Sequence, residues 1–466
     1  MKILILGGGP AGLGAAWRLN EVGHADWQLL EANDYAGGLA SSFRDEQGFF
    51  WDIGGHVQFS HYEYFDALMH KLIPKEEWLT HERESWVWIR NRFVPYPFQN
   101  NLHRLPQEEI VRCLAGLVEI QKNGHHQPAN FKEWILATFG AGIAEVFLLP
   151  YNFKVWAYPA DQMQHSWVGE RVAVTDLTRV LQNLVYQKDD VSWGPNNVFH
   201  FPKHGGTGAI WSACAARLPR DRMYFQSAVQ KIDSKLKQVT TADGRVWEYD
   251  ALVSTIPLTE LLRLCGCNQF SDLAKSGLKH SSANIVGVGL KGKPPDHLRT
   301  KCWMYFPESD CPFYRVTVFS NYSPHNVPDS ENNWSLMTET SESDEKAVDH
   351  KALVQQTIDG LRNTQLLNGD KILSTWSYRA KYGYPTPGLN RDKALGEILP
   401  ALEADNIYSR GRFGAWKYEV SNQDHSFMQG LEIVERLVHG KPEITFPDPN
   451  HANSKKHPFP FERWVN

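Results

Sequence analysis

The run Lys2-Ile3-Leu4-Ile5-Leu6 breaks directly into Gly7-Gly8-Gly9-Pro10-Ala11-Gly12, and this junction limits the possible folds more than any other feature. A short apolar strand meets glycines spaced G-x-G-x-x-G, and Leu13 to Asn20 continues with the apolar spacing of an amphipathic helix. A second strand, Trp27-Gln28-Leu29-Leu30, delivers Glu31 about twenty residues after the last glycine. Each position has a physical task. Gly7 permits the tight turn, Gly9 lets a pyrophosphate approach the backbone, and Gly12 lets helix and strand pack closely. Pro10 and Ala11 open a helix whose free N–H groups and partial positive charge face the phosphates. Glu31 can accept both hydroxyls of an adenosine ribose, and its charge disfavours a 2′-phosphate. The pattern predicts a dinucleotide held at the edge of a parallel α/β sheet.

A chain of 466 residues is long for one core, so two or three domains are expected. With 22% charged and 42% hydrophobic residues it reads as globular. Its net charge of −5 gives no global pull toward nucleic acid or an anionic membrane, so an anionic ligand needs a local cluster of arginines. No run approaches the ~20 apolar residues of a membrane span. The six cysteines, Cys265-Gly266-Cys267 among them, show no paired metal spacing and read as reduced. No metal site and no Ser-His-Asp arrangement is expected. The first strand is too short for a signal peptide, and a cytoplasmic enzyme is the expectation.

Helix-like spacing covers Gln107 to Gln121, Phe131 to Phe139 and Val174 to Tyr186. Strand character returns at Met223–Phe225, Ala228–Ile232, Gln238–Thr241 and Ala251–Thr255, with Asp243-Gly244 as a hairpin signal. Residues 283–340 alternate as strands, and 406–438 read as strand, glycine turn and long helix. The proline-rich tail from Pro442 is expected to wrap the surface or move.

A second glycine turn, Gly37-Gly38-Leu39-Ala40-Ser41, follows Glu31 closely. It resembles the large FAD family that includes the amine oxidases, so FAD is favoured over NAD. Five later segments are dense in polar and aromatic side chains: Gly54–Tyr62; Val94–Asn100; Tyr151–Trp156 leading to Trp167–Val172; Trp303–Tyr305 with Phe313–Arg315 and Ser320–Tyr322; and Tyr382–Pro385 followed by Gly411–Gly414 and Trp416–Ser426. Taken in order, from residue 3 to about 438, these resemble the UDP-galactopyranose mutases of the eukaryotic type.

The resemblance implies an α/β protein with a discontinuous Rossmann-like FAD-binding domain (1–95, 200–282 and 388–440), a mainly helical uridine-binding domain (96–199), a twisted antiparallel sheet domain (283–387) and a tail (441–466). It implies that Arg171 and Arg315 bind the substrate diphosphate, which suits the bidentate guanidinium fork. Tyr305, Tyr384 and Tyr418 match tyrosines that donate to the same diphosphate. Tyr96, Phe98 and Gln99 match the uracil cradle, Asn152, Trp156 and Asn196 further substrate contacts, and Trp303 the sugar pocket. His56 matches a loop residue facing the flavin. Gly55, Gly411, Arg412, Asn422, Gln423 and Ser426 match positions beside the cofactor, joining Gly38 and Leu39, with Asn422 also near the diphosphate. The adjacent His125-His126 pair reads as solvated.

The implied activity is isomerisation of UDP-galactopyranose and UDP-galactofuranose, with N5 of reduced FAD attacking the anomeric carbon as UDP leaves, NADPH a candidate reductant, and no nucleic-acid or membrane partner. The oligomeric state is left open. The alternatives are the same chemistry on another nucleotide sugar, or an FAD amine oxidase or desaturase. No local Cys or His motif marks a covalent flavin link. Purified protein is therefore expected to be yellow and to release FAD into the supernatant on heat or acid precipitation, and a flavin-free supernatant would contradict the fingerprint.

Overall fold

The computed structural model describes residues 1–123, 127–191 and 197–465. His125 and His126 lie outside the described residues. Five parallel strands form the nucleotide-binding sheet, in the order Ile407–Ser409, Ala251–Ser254, Ile3–Leu6, Trp27–Leu30, Met223–Tyr224. Ile3–Leu6 is buried along its whole length, because helices cover both faces of a parallel sheet. Helix α1, Pro10–Glu21, leaves the first strand through Gly9 and packs its small residues against a long helix near the end of the chain.

A second sheet of seven strands stands across the mouth of the first. Its order is Ile372–Pro385, His280–Lys291, Asn333–Glu342, Arg315–Val318, Trp303–Tyr305, Ser85–Ile89, Arg92–Pro95. All its pairs are antiparallel except Trp303–Tyr305 with Ser85–Ile89. Ser85–Pro95, assigned from the sequence to the FAD segment, thus extends this sheet instead. Its strand partners lie more than two hundred residues away, which is why local pattern assigned it elsewhere.

The helical layer contains α2 (Gln107–Asn123), α3 (Phe131–Ile143), α4 (Leu149–Trp156) and α5 (Leu177–Tyr186). Asn130 and Asp176 cap α3 and α5 by accepting the Glu133 and Arg179 N–H groups. Helix α5 begins three residues later than apolar spacing suggests, because Asp176 holds extended backbone as its cap. The stretch Phe131–Trp156 is long and apolar enough to cross a membrane by length and composition, contrary to the sequence count, and half of its most apolar part is buried inside the protein. It is not one straight rod. Gly140 leaves helical geometry at φ 72°, pressed against the backbone of Gly116, and Ala144–Leu148 widens into a π-turn.

The final long helix, α6 (Gln423–His439), lies on α1. The tail beyond it is tied down. Ile444, Phe461 and Trp464 join the hydrophobic core around α1, and the buried Glu432 carboxylate accepts the N–H groups of Ile444 and Thr445. The six cysteines are free.

The contact of α1 with α6 depends on bare backbone. A Cβ on Gly430 would stand 1.9 Å from the Ala11 carbonyl oxygen, and one on Gly14 would stand 2.2 Å from that of Phe427. Gly430→Ala must separate the helices and is expected to cost about 1–3 kcal/mol. Since Ala11 borders the cofactor groove, bound flavin is expected to fall as well. Thermal melting with flavin quantification checks this, and an unchanged melting temperature would contradict it.

Candidate functional site

A cavity of about 750 Å³ runs from the first strand's glycine turn to the face of the seven-stranded sheet. Gly7, Gly9, Pro10, Ala11, Glu31, Gly38 and Leu39 line one end. The Glu31 carboxylate accepts the Gly8 N–H at 2.6 Å and the Asn33 N–H at 2.8 Å, which fixes its orientation at the end of the second strand. Gly37 donates to the Gly8 carbonyl at 2.8 Å, so the two glycine turns form one continuous cradle. A cradle of bare backbone, a helix N-terminus and an oriented acid fits an adenine dinucleotide. Gly12 and Gly411 do not line the cavity. A Cβ on Gly12 would lie 1.8 Å from the Gly7 oxygen and one on Gly411 2.7 Å from the Ala11 Cβ, so both act by close packing behind it.

The other end is polar and charged. His56 lies on the cavity wall, its Nδ1 buried without a hydrogen-bond partner. Burial pushes the imidazole down to about 4, so it is neutral at physiological pH. Arg412 donates to the Gly383 carbonyl at 2.9 Å and to the Ser421 hydroxyl at 2.8 Å, with Tyr384 5.1 Å and Tyr418 5.9 Å from its guanidinium carbon. Asn422 caps α6, and Gln423 and Ser426 follow it on the same wall.

Arg315 is held by a group the sequence did not single out. Its Nε and one terminal nitrogen each donate to the Glu339 carboxylate at 2.8 Å. The same carboxylate accepts the Gly55 N–H at 2.9 Å and the Tyr314 hydroxyl at 2.7 Å. Coulombic attraction between the two holds the carboxyl below its usual range, against burial, and the guanidinium above its own. About a fifth of the Arg315 side chain stays open to the cavity. Glu339 faces Arg315 across neighbouring strands, a register that only strand pairing reveals.

Arg171, in the turn Gly169–Arg171, also lines the cavity. It donates to the Glu419 carbonyl at 2.6 Å and lies over the Tyr418 ring. Asn453 of the tail donates to the same carbonyl at 2.9 Å, so the tail reaches the back of the site. A recess of about 190 Å³ adjoins, and Tyr96, Arg171, Tyr305, Arg315, Tyr384 and Tyr418 border both spaces. Gln99, Asn152 and Trp156 line the recess. Gln99 donates to the Ala173 carbonyl, and its amide oxygen is buried and unpartnered. Trp303, on the larger cavity, donates to the Tyr305 hydroxyl.

The expectation for Phe98 changes. Phe98 is fully buried against Phe147, their ring centroids 4.6 Å apart, and lines neither space, because the 3₁₀ turn Phe98–Asn100 points it into the helical core. Asn196 lies outside the described residues. One further grouping was not anticipated: His61, Asp424 and His425, all buried, place donor atoms within 4.8 Å of one another. The imidazole planes of His61 and His425 stack at 4.7 Å and 25°, so their in-plane lone pairs run side by side instead of converging on an ion. Asp424 instead receives the backbone and ring N–H groups of His61, anchoring the end of the Gly54–His61 loop to α6.

The sheet and its glycine cradle define an FAD-type nucleotide-binding protein, and the comparisons agree. Residues 10–395 match the model of the flavin-containing amine oxidoreductases. A crystal structure of reduced UDP-galactopyranose mutase superposes with a TM-score of 0.96, 47% identity and 99% of each chain covered. A conjugated-linoleic-acid-producing fatty acid isomerase from P. acnes shares the fold at TM-score 0.63 and 18% identity, over 94% of this chain and 98% of that one. A chloroplastic 15-cis-phytoene desaturase from Glycine max is 38% identical over 72 residues, 16% of this chain and 12% of that protein. The chain thus spans about an eighth of the length of that curated relative. It belongs to the flavin-containing amine oxidoreductases and, within them, to the UDP-galactopyranose mutase family.

Glu339→Gln keeps the shape but removes the charge that balances Arg315. Breaking one side of a buried pair costs about 3–5 kcal/mol. The variant is expected to unfold at lower denaturant concentration and to retain less flavin, because the Gly55 contact weakens too. Wild-type values in both would show that the pair is not what orders this wall.

Proposed function

We propose that this chain interconverts UDP-galactopyranose and UDP-galactofuranose while carrying reduced FAD. The observation that carries the reading is that Arg171 and Arg315, together with Tyr305, Tyr384 and Tyr418, border both the larger cavity and the recess. Glu31 and the two glycine turns would hold the adenosine and pyrophosphate of FAD, and His56, Arg412 and Asn422 would border its flavin. When bound and reduced, the flavin supplies the nucleophile for the anomeric carbon.

The side chains supply position and charge. UDP departure builds negative charge on the β-phosphate, and Arg171 and Arg315 stabilise it as fixed cations in a site that excludes water. Tyr305, Tyr384 and Tyr418 donate hydroxyl hydrogen bonds to the same oxygens. Their burial raises the phenols of Tyr305 and Tyr384 above the ordinary value, so both remain donors at neutral pH. Tyr96 packs the base and the unpartnered Gln99 oxygen accepts from the uracil N–H, while Trp303 shapes the sugar end. His56, its proton affinity lowered by burial, faces the site as an uncharged imidazole. No general base is needed, because the nucleophile belongs to the cofactor. The reading places the enzyme in the cytoplasm with NADPH as the reductant, and its six free cysteines suit a reducing compartment.

Product analysis after giving UDP-galactofuranose to the enzyme tests this directly. UDP-galactopyranose is expected with dithionite and not without it, with no stoichiometric consumption of reductant. Equal turnover by the oxidised enzyme would sink the mechanism.

Arg171→Ala is expected to reduce kcat/KM by about a hundredfold or more, since a lost charge-assisted contact to a desolvated phosphate costs on the order of 3 kcal/mol. Its flavin content should stay near wild type. Arg315→Ala is expected to lose activity and flavin together, because it strands the Glu339 carboxylate that also holds Gly55. Arg→Lys should rescue either only in part, as the ammonium lacks the bidentate fork. Normal turnover by both alanine variants would refute the diphosphate assignment and favour amine oxidation.

A further inference from the structure

Lys154 points away from the cavity chemistry. It lies on α4 between Asn152 and Trp156, and its side chain crosses to the turn that precedes Tyr314 and Arg315. Its relative exposure is 8%, and that of Cys311 is 6%. The Lys154 Nζ stands 2.7 Å from the Glu308 carbonyl oxygen, 2.9 Å from the Cys311 carbonyl oxygen and 3.4 Å from the Cys311 Sγ. Among the described residues no carboxylate forms an ion pair with it.

This set of partners suits an amine as well as an ammonium. A neutral amine keeps two N–H donors, which the two carbonyl oxygens accept, while the thiol sulfur lies beside the nitrogen. Burial lowers the proton affinity of Lys154 below its ordinary value and pushes the Cys311 thiol up to about 12. Both shifts favour the uncharged amine–thiol pair. Four further facts frame the site. Lys346 sits nearby and its charge works against a second ammonium there. Ser341 donates to the Lys154 carbonyl, so α4 is fixed at this point. The Glu308 carboxylate acts on Lys154 through charge alone, and Asp310 both acts through charge and hydrogen-bonds the Cys311 thiol. The thiol also donates to the Phe313 carbonyl at 3.6 Å.

We propose that Lys154 and Cys311 form an oxidative cross-linking site, in which dioxygen joins the amine nitrogen to the thiol sulfur through one bridging oxygen. The step balances: R–NH₂ + R′–SH + O₂ gives R–NH–O–S–R′ + H₂O. One N–H and one S–H bond break, N–O and O–S bonds form, and both hydrogens leave with the second oxygen atom as water. The nitrogen–sulfur pair gives up four electrons and dioxygen takes them. A small apolar oxidant reaches a buried pair without the charged thiolate that peroxide chemistry requires. The link would tie α4, with Asn152 and Trp156, to the turn carrying Tyr314 and Arg315, and so join two walls of the recess. A thiol reductant would reverse it, as it reverses other oxidised sulfur states short of sulfinic acid. The proposal does not depend on which nucleotide sugar the cavity takes.

The test is peptide mapping of the flavin-loaded enzyme kept in air-saturated buffer, against samples kept anaerobic or treated with dithiothreitol. The expected species joins the Lys154 and Cys311 peptides, is heavier than their sum by one oxygen less two hydrogens, and resists tryptic cleavage at Lys154. It should vanish with dithiothreitol and be absent from Lys154→Arg and Cys311→Ser. If a variant fails to fold, the wild-type map decides alone. Free Cys311 after prolonged aeration, Cys311 carrying two oxygens with no cross-link, or the same mass gain in Lys154→Arg would each overturn the proposal.

Discussion

One buried carboxylate orders the charged end of this molecule. Glu339 receives the guanidinium of Arg315, the hydroxyl of the adjacent Tyr314 and the N–H of the distant Gly55, three groups from two separate parts of the chain. Bringing a carboxylate and a guanidinium out of water is costly, and the cost is offset only when geometry and further hydrogen bonds are good. Here they are. The pair aims Arg315 along the cavity while holding the glycine loop that carries His56. An arginine free to swing would have to be ordered each time a phosphate bound, at a loss in side-chain entropy. With the fork already fixed, that loss is taken at folding.

The two ends of the cavity meet negative charge by different means. At the first strand the donors are backbone N–H groups, which carry no net charge, and the Glu31 carboxylate beside them is itself fixed by the Gly8 N–H. At the sheet the donors are whole cations, Arg315 paired with the Glu339 carboxylate and the other two set against rings and carbonyls. Arg171 and Arg412 each rest on a backbone carbonyl and a tyrosine ring. Carbonyls and ring faces hold a guanidinium in place without cancelling its charge. An anion reaching this end therefore meets cations that are positioned and only partly neutralised.

The helical layer and the tail show how far a local pattern carries. Amphipathic spacing located α2, α3 and α5 because their buried faces repeat every three to four residues. It placed the start of α5 too early, since the capping carboxylate of Asp176 and not the apolar count decides where the helix begins. The family resemblance sent Phe98 to the ligand. An aromatic residue beside Gln99 reads the same whether its ring faces a base or a core, and the turn at Phe98–Asn100 turned it inward. The prolines left the tail either wrapping the surface or mobile, and packing decides it: Phe461 and Trp464 bury against the first helix and Asn453 supports the residue that holds Arg171.

The sequence alone determined the cofactor cradle and the class of chemistry. A glycine turn, the strand before it, the helix after it and the acid that follows all lie within the first 31 residues, so short-range geometry fixes them. The ordered arginine and tyrosine segments likewise identified the charged end. The tertiary structure decided what depends on contacts between distant segments. Strand register set Glu339 opposite Arg315. Pairing with Trp303–Tyr305 drew Ser85–Pro95 into the large sheet, and the docking of α6 placed Asp424 against His61. None of these leaves a periodic trace in the chain, because each partner satisfies its own local rules and the bond between them exists only once the sheets and helices have packed.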